Sequence, residues 1–289
     1  MNAFEVVAAG PMTLVQDGGR PGLAHLGVGA SGAFDRGAAR LANRLVGNRS
    51  GAAVLEVLVG GLEIRFDSDA WVAVTGAWGP ITAMGAVEPH TPTLVPAGRT
   101  LRIGTAEHGI RWYLAVRGGI AANPVLDSRS RDTLAALGPA PLAEGDRVLV
   151  GGDIEGPVPG IDLVPVDPPA DGPVRISVRP GPRADWFSSD AWSLMLESAW
   201  TTSPRSDRTG IRLEGPTLER ARTGELPSEG MIPGAIQVSP DGVPTILGVD
   251  APVTGGYPVL AVVTDGSLDA LAQLRPGQPV RFTLATGRS

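Results

Sequence analysis

Residues Val54 to Thr75 read VLEVLVGGLEIRFDSDAWVAVT. Three runs stand out in that stretch: Val54–Leu58, Leu62–Phe66 and Trp71–Thr75. Each is short, apolar and bounded by Gly, Asp or Ser, so it predicts a strand ending in a tight turn. The same texture extends both ways. Upstream lie Phe4–Val7 and Met12–Val15; downstream lie Leu101–Ile103, Trp112–Val116 and Arg147–Val150. Regular short strands with turn signals predict a barrel or a sandwich. One clear helix interrupts them, from Asp35 to Val46, with Ala38, Leu41, Ala42 and Leu45 at helical spacing. Asp35 is its expected N-cap and Gly47-Asn48 its expected stop.

From Asp153 to Pro173 the chain becomes rich in Pro, Gly and Asp, which fits an extended linker. Strands then recur from Val174, near Trp200–Thr202, Gly210–Leu213, Ala235–Val238, Thr245–Val249, Val259–Val263 and Val280–Leu284. Short helices are expected at Asp190–Glu197 and Leu268–Leu274. The expectation is a mainly β chain with a few short helices, in two halves: residues 1–152, a linker over 153–173, and residues 174–289.

A chain of 289 residues with 43% hydrophobic side chains can bury a sizeable core. Its Gly 40 and Pro 27 favour many short elements over long helices. The formal net charge is -6 and no basic cluster occurs, so nucleic acid is not an expected partner. No stretch approaches the roughly 20 apolar residues of a membrane-crossing helix. Met1 to Gly10 lacks the basic start and apolar run of a secretory signal, and cysteine is absent; both fit a cytoplasmic location. Without that signal the sequon Asn48-Arg49-Ser50 carries no meaning.

All 24 basic residues are arginine. Without lysine there is no Schiff base, no Walker A phosphate loop and no biotinyl-lysine on this chain. Without cysteine there is no thiol nucleophile. His25, His90 and His108 lack metal-ligand spacing, so no metal site is expected. Ala33 stands where the G-x-S-x-G pattern around Ser31 needs its last glycine, which argues against a serine hydrolase.

Two loops concentrate the remaining chemistry. The first runs from Gln16-Asp17-Gly18-Gly19-Arg20 to Ser31-Gly32-Ala33-Phe34-Asp35. Its Gly27–Gly32 segment matches G-x-G-x-x-G, but Arg20-Pro21-Gly22 precedes it instead of the strand that a dinucleotide site needs. Glycines there let backbone N–H groups approach an anionic or carbonyl ligand, and Arg20 can clamp a carboxylate or phosphate. Equally, Asp17 and Arg20 can brace a turn while Asp35 only caps the helix. The second loop, Ser203 to Leu213, holds Ser206, Asp207, Arg208 and Arg212; it reads as an anion site or as a solvated hairpin. Glu229 and Asp250 are acid or base candidates in loops near Gln237, Gly255, Gly256 and Tyr257, or else turn-forming residues.

The run TLVQDGGRPGLAHLGVGASGAFDRGAARLANRLVGN, continued by AAVLEV, resembles the carboxyltransferase family called allophanate hydrolase subunit 2, whose bacterial members include components of 5-oxoprolinase. SDRTGIRLEGP, SEGMIPGAIQVSPDG, TGGYP and LAQLRPGQPVRF match in the same order, so the resemblance covers nearly the whole chain. It implies two cyclophilin-like β-barrel halves and a B-like partner subunit, without which the chain is inactive. With a further A-like subunit, the implied activity is ATP-dependent opening of 5-oxoproline to glutamate. The alternatives are transfer of a carboxyl group from carboxybiotin to a urea-like nitrogen, with biotin supplied by another chain, or a non-catalytic regulator that sequesters the B-like partner.

The site residues carried over by the resemblance are Asp17, Arg20, Ser31 and Asp35, then Ser206, Arg208, Arg212, Gln237 and Tyr257. Either enzymatic reading must stabilise negative charge on carbonyl or phosphoryl oxygens. Arg20, Arg208 and Arg212 are assigned that role; Asp17, Asp35 and Glu229 are the proton-transfer candidates. Ser31, Gly32, Ser206, Gln237, Gly255, Gly256 and Tyr257 are the expected substrate contacts. One departure stands out. Many relatives read Asp-x-Gln-Thr-Thr-Gly-Gly-Tyr, where this chain reads Asp250-Ala251-Pro252-Val253-Thr254-Gly255-Gly256-Tyr257.

Overall fold

The computed structural model describes residues 2–160, 164–222 and 224–285; residues 161–163 of the expected linker lie outside them. The chain divides into two compact units. The first comprises Met1–Arg20, Ser31–Asp132 and Ala136–Pro169; the second comprises Pro21–Ala30, Thr133–Ala135 and Ala170–Ser289.

The first unit opens with β1 (Ala3–Ala9), β2 (Met12–Gln16) and α1 (Arg36–Leu45). There follow β3 (Val54–Leu58), β4 (Leu62–Phe66), β5 (Ala70–Trp78), β6 (Ile81–Thr82), β7 (Thr93–Val95), β8 (Thr100–Ile103), β9 (His108–Val116), β10 (Ile120–Ala121) and β11 (Arg147–Val150). They form two sheets, ordered β10-β11-β1-β4-β8-β6 and β2-β3-β9-β5-β7. Both line one core, which includes Phe4, Leu55, Ile64, Val72, Leu101 and Trp112. At roughly 1.5–3 kcal/mol for each large apolar side chain buried, this core dominates the unit's stability.

The period of two explains how the same strands also seat the helix. Val72 and Val74 of β5, and Trp112 and Leu114 of β9, point into that core. Between them, Ala73, Tyr113 and Ala115 point to the other face, where they meet Ala39, Ala42 and Leu45 of α1. Small residues at Ala73 and Ala115 make room for the helix. In the turn after β3, Val59, Gly60 and Gly61 all take positive φ (66°, 128° and 78°). A Cβ on Gly60 would run into the Gly104 carbonyl, so glycine is required there.

The second unit contains β12 (Val174–Pro180), α2 (Ser189–Glu197), β13 (Trp200–Thr202), β14 (Gly210–Glu214), β15 (Glu229–Gly230) and β16 (Ala235–Val238). It continues with β17 (Pro244–Leu247), β18 (Thr254–Gly255), β19 (Val259–Val263), α3 (Asp265–Leu271) and β20 (Pro279–Leu284). Seven strands close into a barrel in the order β12-β19-β16-β17-β14-β13-β20. The closure is a parallel pairing of β12 with β20, from Val174↔Val280 to Val178↔Leu284. Closure leaves no free sheet edge. Ile176, Ile211, Ile236, Ile246 and Phe282 are buried on alternating positions of its strands. Outside the barrel, β15 and β18 form a two-stranded ladder, Glu229 opposite Gly255 and Gly230 opposite Thr254.

The chain is therefore mainly β, with three short α-helices among the described residues, as the sequence predicts. The last helix starts at Asp265, three residues before the expected Leu268, because its first turn is polar and periodicity cannot mark it.

Candidate functional site

In the first unit, the loop after β2 is held by a half-buried carboxylate and a buried guanidinium. The Asp17 carboxylate accepts hydrogen bonds from the Gly19 N–H (2.8 Å), the hydroxyls of Ser128 and Ser130 (both 2.6 Å) and the Arg129 N–H (2.6 Å). Its acceptor capacity is taken up in fixing residues 128–130. The Arg20 side chain is 2% exposed. Its Nε donates to the Val125 carbonyl (3.4 Å) and its Nη2 to the Ser130 carbonyl, while Nη1 is buried without a partner among the described residues. No carboxylate pairs with this guanidinium among the described residues.

Ser31 and Gly32 take positive φ (53° and 98°), and Ser31 Oγ donates to the Arg131 carbonyl (3.2 Å). A Cβ on Gly32 would lie 3.0 Å from the Gly19 nitrogen. The Ala33 N–H donates to the Asp17 carbonyl (3.0 Å), and the two N–H groups after it are held by buried side chains. Phe34 donates to Glu56 Oε2 (3.0 Å) and Asp35 to Tyr113 Oη (2.7 Å). Tyr113 in turn donates to Glu56 Oε2 (2.9 Å), and Arg111 lies 3.7 Å from Glu56 Oε1 and over the Phe34 ring (5.0 Å). Burial, followed by the charges of Glu56 and Asp35, pushes the Tyr113 hydroxyl well above its usual value of 10.0, so it stays protonated as a donor. The Asp35 carboxylate caps α1 by accepting from Ala38 N (2.8 Å).

In the second unit, Arg208 and Asp250 are 1% and 0% exposed and form a two-point ion pair (2.8 and 3.0 Å). Asp250 also accepts from Thr133 N and Oγ1 (2.9 and 2.8 Å). Arg208 thus serves a buried network. Ser206 is bonded through its hydroxyl to the backbone of Arg212 (3.0 and 3.3 Å), whose side chain is exposed. Asp207 accepts from Thr209 N and Gly210 N, so this loop is a braced hairpin.

Three other expected residues gather at one corner of this unit. Glu229 of β15 makes a two-point ion pair with Arg183, one arm at 3.0 Å, and lies opposite Gly255. A Cβ on Gly255 would sit 3.7 Å from Gln237 Oε1 and 3.1 Å from Met231 Cε. The tight neighbour of such a Cβ would be the Met231 side chain, while the half-buried Gln237 amide lies at ordinary contact distance. Gly256 is exposed, and Tyr257 is 44% exposed. Among the described residues no three His, Cys, Asp or Glu side chains are grouped to hold a metal ion, and no helix is long and apolar enough to cross a membrane.

A family model described as the carboxyltransferase domain, subdomains A and B, matches residues 26–284. The chain belongs to the carboxyltransferase domain family. It is 38% identical to the C subunit of 5-oxoprolinase from Escherichia coli (strain K12), over 96% of this chain and 90% of that protein. The corresponding protein of Haemophilus influenzae is 34% identical, over 93% of this chain and 86% of its own length. Among solved structures, K. lactis urea amidolyase superposes with a TM-score of 0.92 at 30% identity, covering 98% of this chain and 19% of that one.

Several residues that shape this carboxyltransferase domain escape a reading of motifs. Glu56 had a usable signal, a lone carboxylate in the run Val54–Leu58. Tyr113 and Arg111 lie on β9 opposite Glu56 and Leu58, a contact only strand register reveals. Ser128 and Ser130 had none, since their partner Asp17 is more than a hundred residues away.

Proposed function

We propose that this chain is the C subunit of a cytoplasmic, ATP-dependent 5-oxoprolinase that opens 5-oxoproline to glutamate together with A-like and B-like partner subunits. The observation that carries the reading is similarity: over nearly the whole of this chain the C subunit of the E. coli enzyme is 38% identical, against 33% for the urea amidolyase of Lachancea kluyveri.

Lactam opening places negative charge on the ring carbonyl oxygen as it is attacked or phosphorylated. In our reading Arg20 meets that need, because among the described residues its buried Nη1 has no partner and no carboxylate pairs with its charge. An unsatisfied buried donor costs about 1–3 kcal/mol, which an anionic oxygen would offset. Asp17 then holds the loop, Asp35 holds the helix, and Glu229 is left as the carboxylate for proton transfer, with Gln237, Gly255, Gly256 and Tyr257 beside it in sequence or space. Ser31 and Gly32 shape the Arg20 loop. Arg208 fixes Asp250, and Ser206 and Arg212 form the hairpin. ATP enters as a co-substrate of the complex; Gly27–Gly32 contains no lysine, and no phosphate cradle is assigned to this chain.

A second reading, carboxyl transfer to a urea-like nitrogen, is favoured by the urea amidolyase superposition. It requires biotin carried by another chain, since no lysine is present. Co-expression with the partner subunits separates the two. ATP hydrolysis that depends on 5-oxoproline supports the first. An intact complex that ignores 5-oxoproline but carboxylates urea from a biotinylated carrier overturns it.

A further inference from the structure

Arg183 lies outside the two arginine-bearing loops of the sequence, yet it stands at the Glu229 corner of the second unit. Its backbone is fixed against β19. The Arg183 N–H donates to the Val259 carbonyl (3.1 Å), and the Arg183 carbonyl accepts from the Trp186 N–H (3.0 Å). A Cβ on Gly181 would run into the Val259 carbonyl, so glycine lets this loop lie close on the strand. Val259 is the register partner of Gln237. Gly255 lies opposite Glu229, and a Cβ there would sit 3.7 Å from Gln237 Oε1. Strand pairing thus gathers Arg183, Glu229 and Gln237 at one place.

A guanidinium carries five N–H donors in a rigid fork, and two of its edges can each hold a carboxylate at two points. Glu229 takes one edge, through Nε (3.0 Å) and Nη2. The other edge, Nη1 with the second hydrogen of Nη2, has no partner among the described residues, and the side chain is 37% exposed, so a ligand can reach it. The neighbouring carboxylate, Asp185, is paired with Arg222 (2.8 Å). The Gln237 amide is half-buried and also has no hydrogen-bond partner among the described residues.

We propose that Arg183 binds the carboxylate of 5-oxoproline through this open edge and so restricts the site to lactams that bear a carboxylate. The assignment rests on the reading of this chain as a 5-oxoprolinase subunit. Glu229 keeps the guanidinium plane from turning, because a fork bonded at two points is fixed in orientation. A ring holds its amide cis, with N–H and C=O on one edge, and the Gln237 amide offers the matching C=O and N–H.

The probe is 2-pyrrolidinone, the same ring without the carboxylate. In the purified complex with the A-like and B-like partners, lactam-dependent ADP release should favour 5-oxoproline over 2-pyrrolidinone in kcat/KM. Arg183→Gln should shrink that preference by about tenfold to a hundredfold, the worth of hydrogen bonds to a charged group. Arg183→Lys keeps the charge without the fork and should shrink it less. A residue that only braced β15 would affect both lactams alike. A preference that survives unchanged in Arg183→Gln, or a native complex that opens both lactams equally well, therefore overturns the assignment of Arg183 and leaves the function standing. A verified native complex that opens neither overturns the functional reading, and this assignment with it. Where a variant is inactive, equilibrium binding of the two lactams to the same complex gives the ratio instead.

Discussion

Glu56 sits in a strand that would otherwise be wholly apolar, and it is 3% exposed. Removing one partner from a buried charged network leaves the rest uncompensated. Glu56→Ala should therefore lower stability by about 3–5 kcal/mol in urea unfolding. Glu56→Gln keeps an acceptor for Phe34 N and Tyr113 Oη and should cost less. At Arg20 the charge and the fork matter separately. Arg20→Lys keeps the charge but loses the bonds to two carbonyls and the free Nη1. In the proposed complex it should reduce kcat/KM by about 10²-fold, measured as 5-oxoproline-dependent ADP release. Equal activity in the lysine variant would remove Arg20 from the chemistry. His90 is 1% exposed, with φ 61° and its ring 5.3 Å from that of Trp78. Burial lowers its pKa from 6.5 to about 4. Between those values the unfolded chain binds the extra proton, so this contribution is complete above pH 6.5 and is lost as pH falls towards 4. The loss amounts to up to about 3 kcal/mol. His90→Asn, which tolerates the positive φ, should flatten the pH dependence of urea midpoints across that window.

Elements built on alternation were legible in the sequence itself. Leu62–Phe66, Ala235–Val238 and Val259–Val263 have the predicted boundaries because apolar runs stop where a turn residue forces the chain round. The helix after Asp35 was legible for a local reason, its capping carboxylate. Two-residue strands such as β6, β10, β15 and β18 were not, since alternation cannot show over two positions. The site loops were half legible. Their composition marked Asp17, Arg20, Ser31 and Asp35, but what each touches depends on β3, β9 and residues 125–131, far away in sequence. Gly32 is the test at this scale. Its φ of 98° and the 3.0 Å approach of Gly19 N leave no space for a methyl group. Gly32→Ala should cost about 1–3 kcal/mol in stability, whereas Gly51→Ala, at a position where nothing lies within 4 Å, should be nearly neutral.

At the scale of the whole molecule, the short segments Pro21–Ala30 and Thr133–Ala135 cluster with a unit whose main body begins at Ala170. Local composition gives no hint of this, because membership is decided by contacts such as that of Thr133 with Asp250. Asp250 is the anchor of that unit's buried network. Asp250→Ala should remove the two-point carboxylate partner of the buried Arg208 and destabilise the unit by about 3–5 kcal/mol. Hydrogen exchange should speed up in β14, β17 and around Thr133, and unchanged exchange there would deny Asp250 this role. Family membership rests on a match over residues 26–284, and the proposed activity requires assembly with partners. The most direct test is to measure glutamate formed from 5-oxoproline, alongside ADP, by a purified complex of this chain with its A-like and B-like partners. Glutamate and ADP should appear together and only when all three chains are present. A verified complex that forms neither, or that forms both without this chain, would contradict the account.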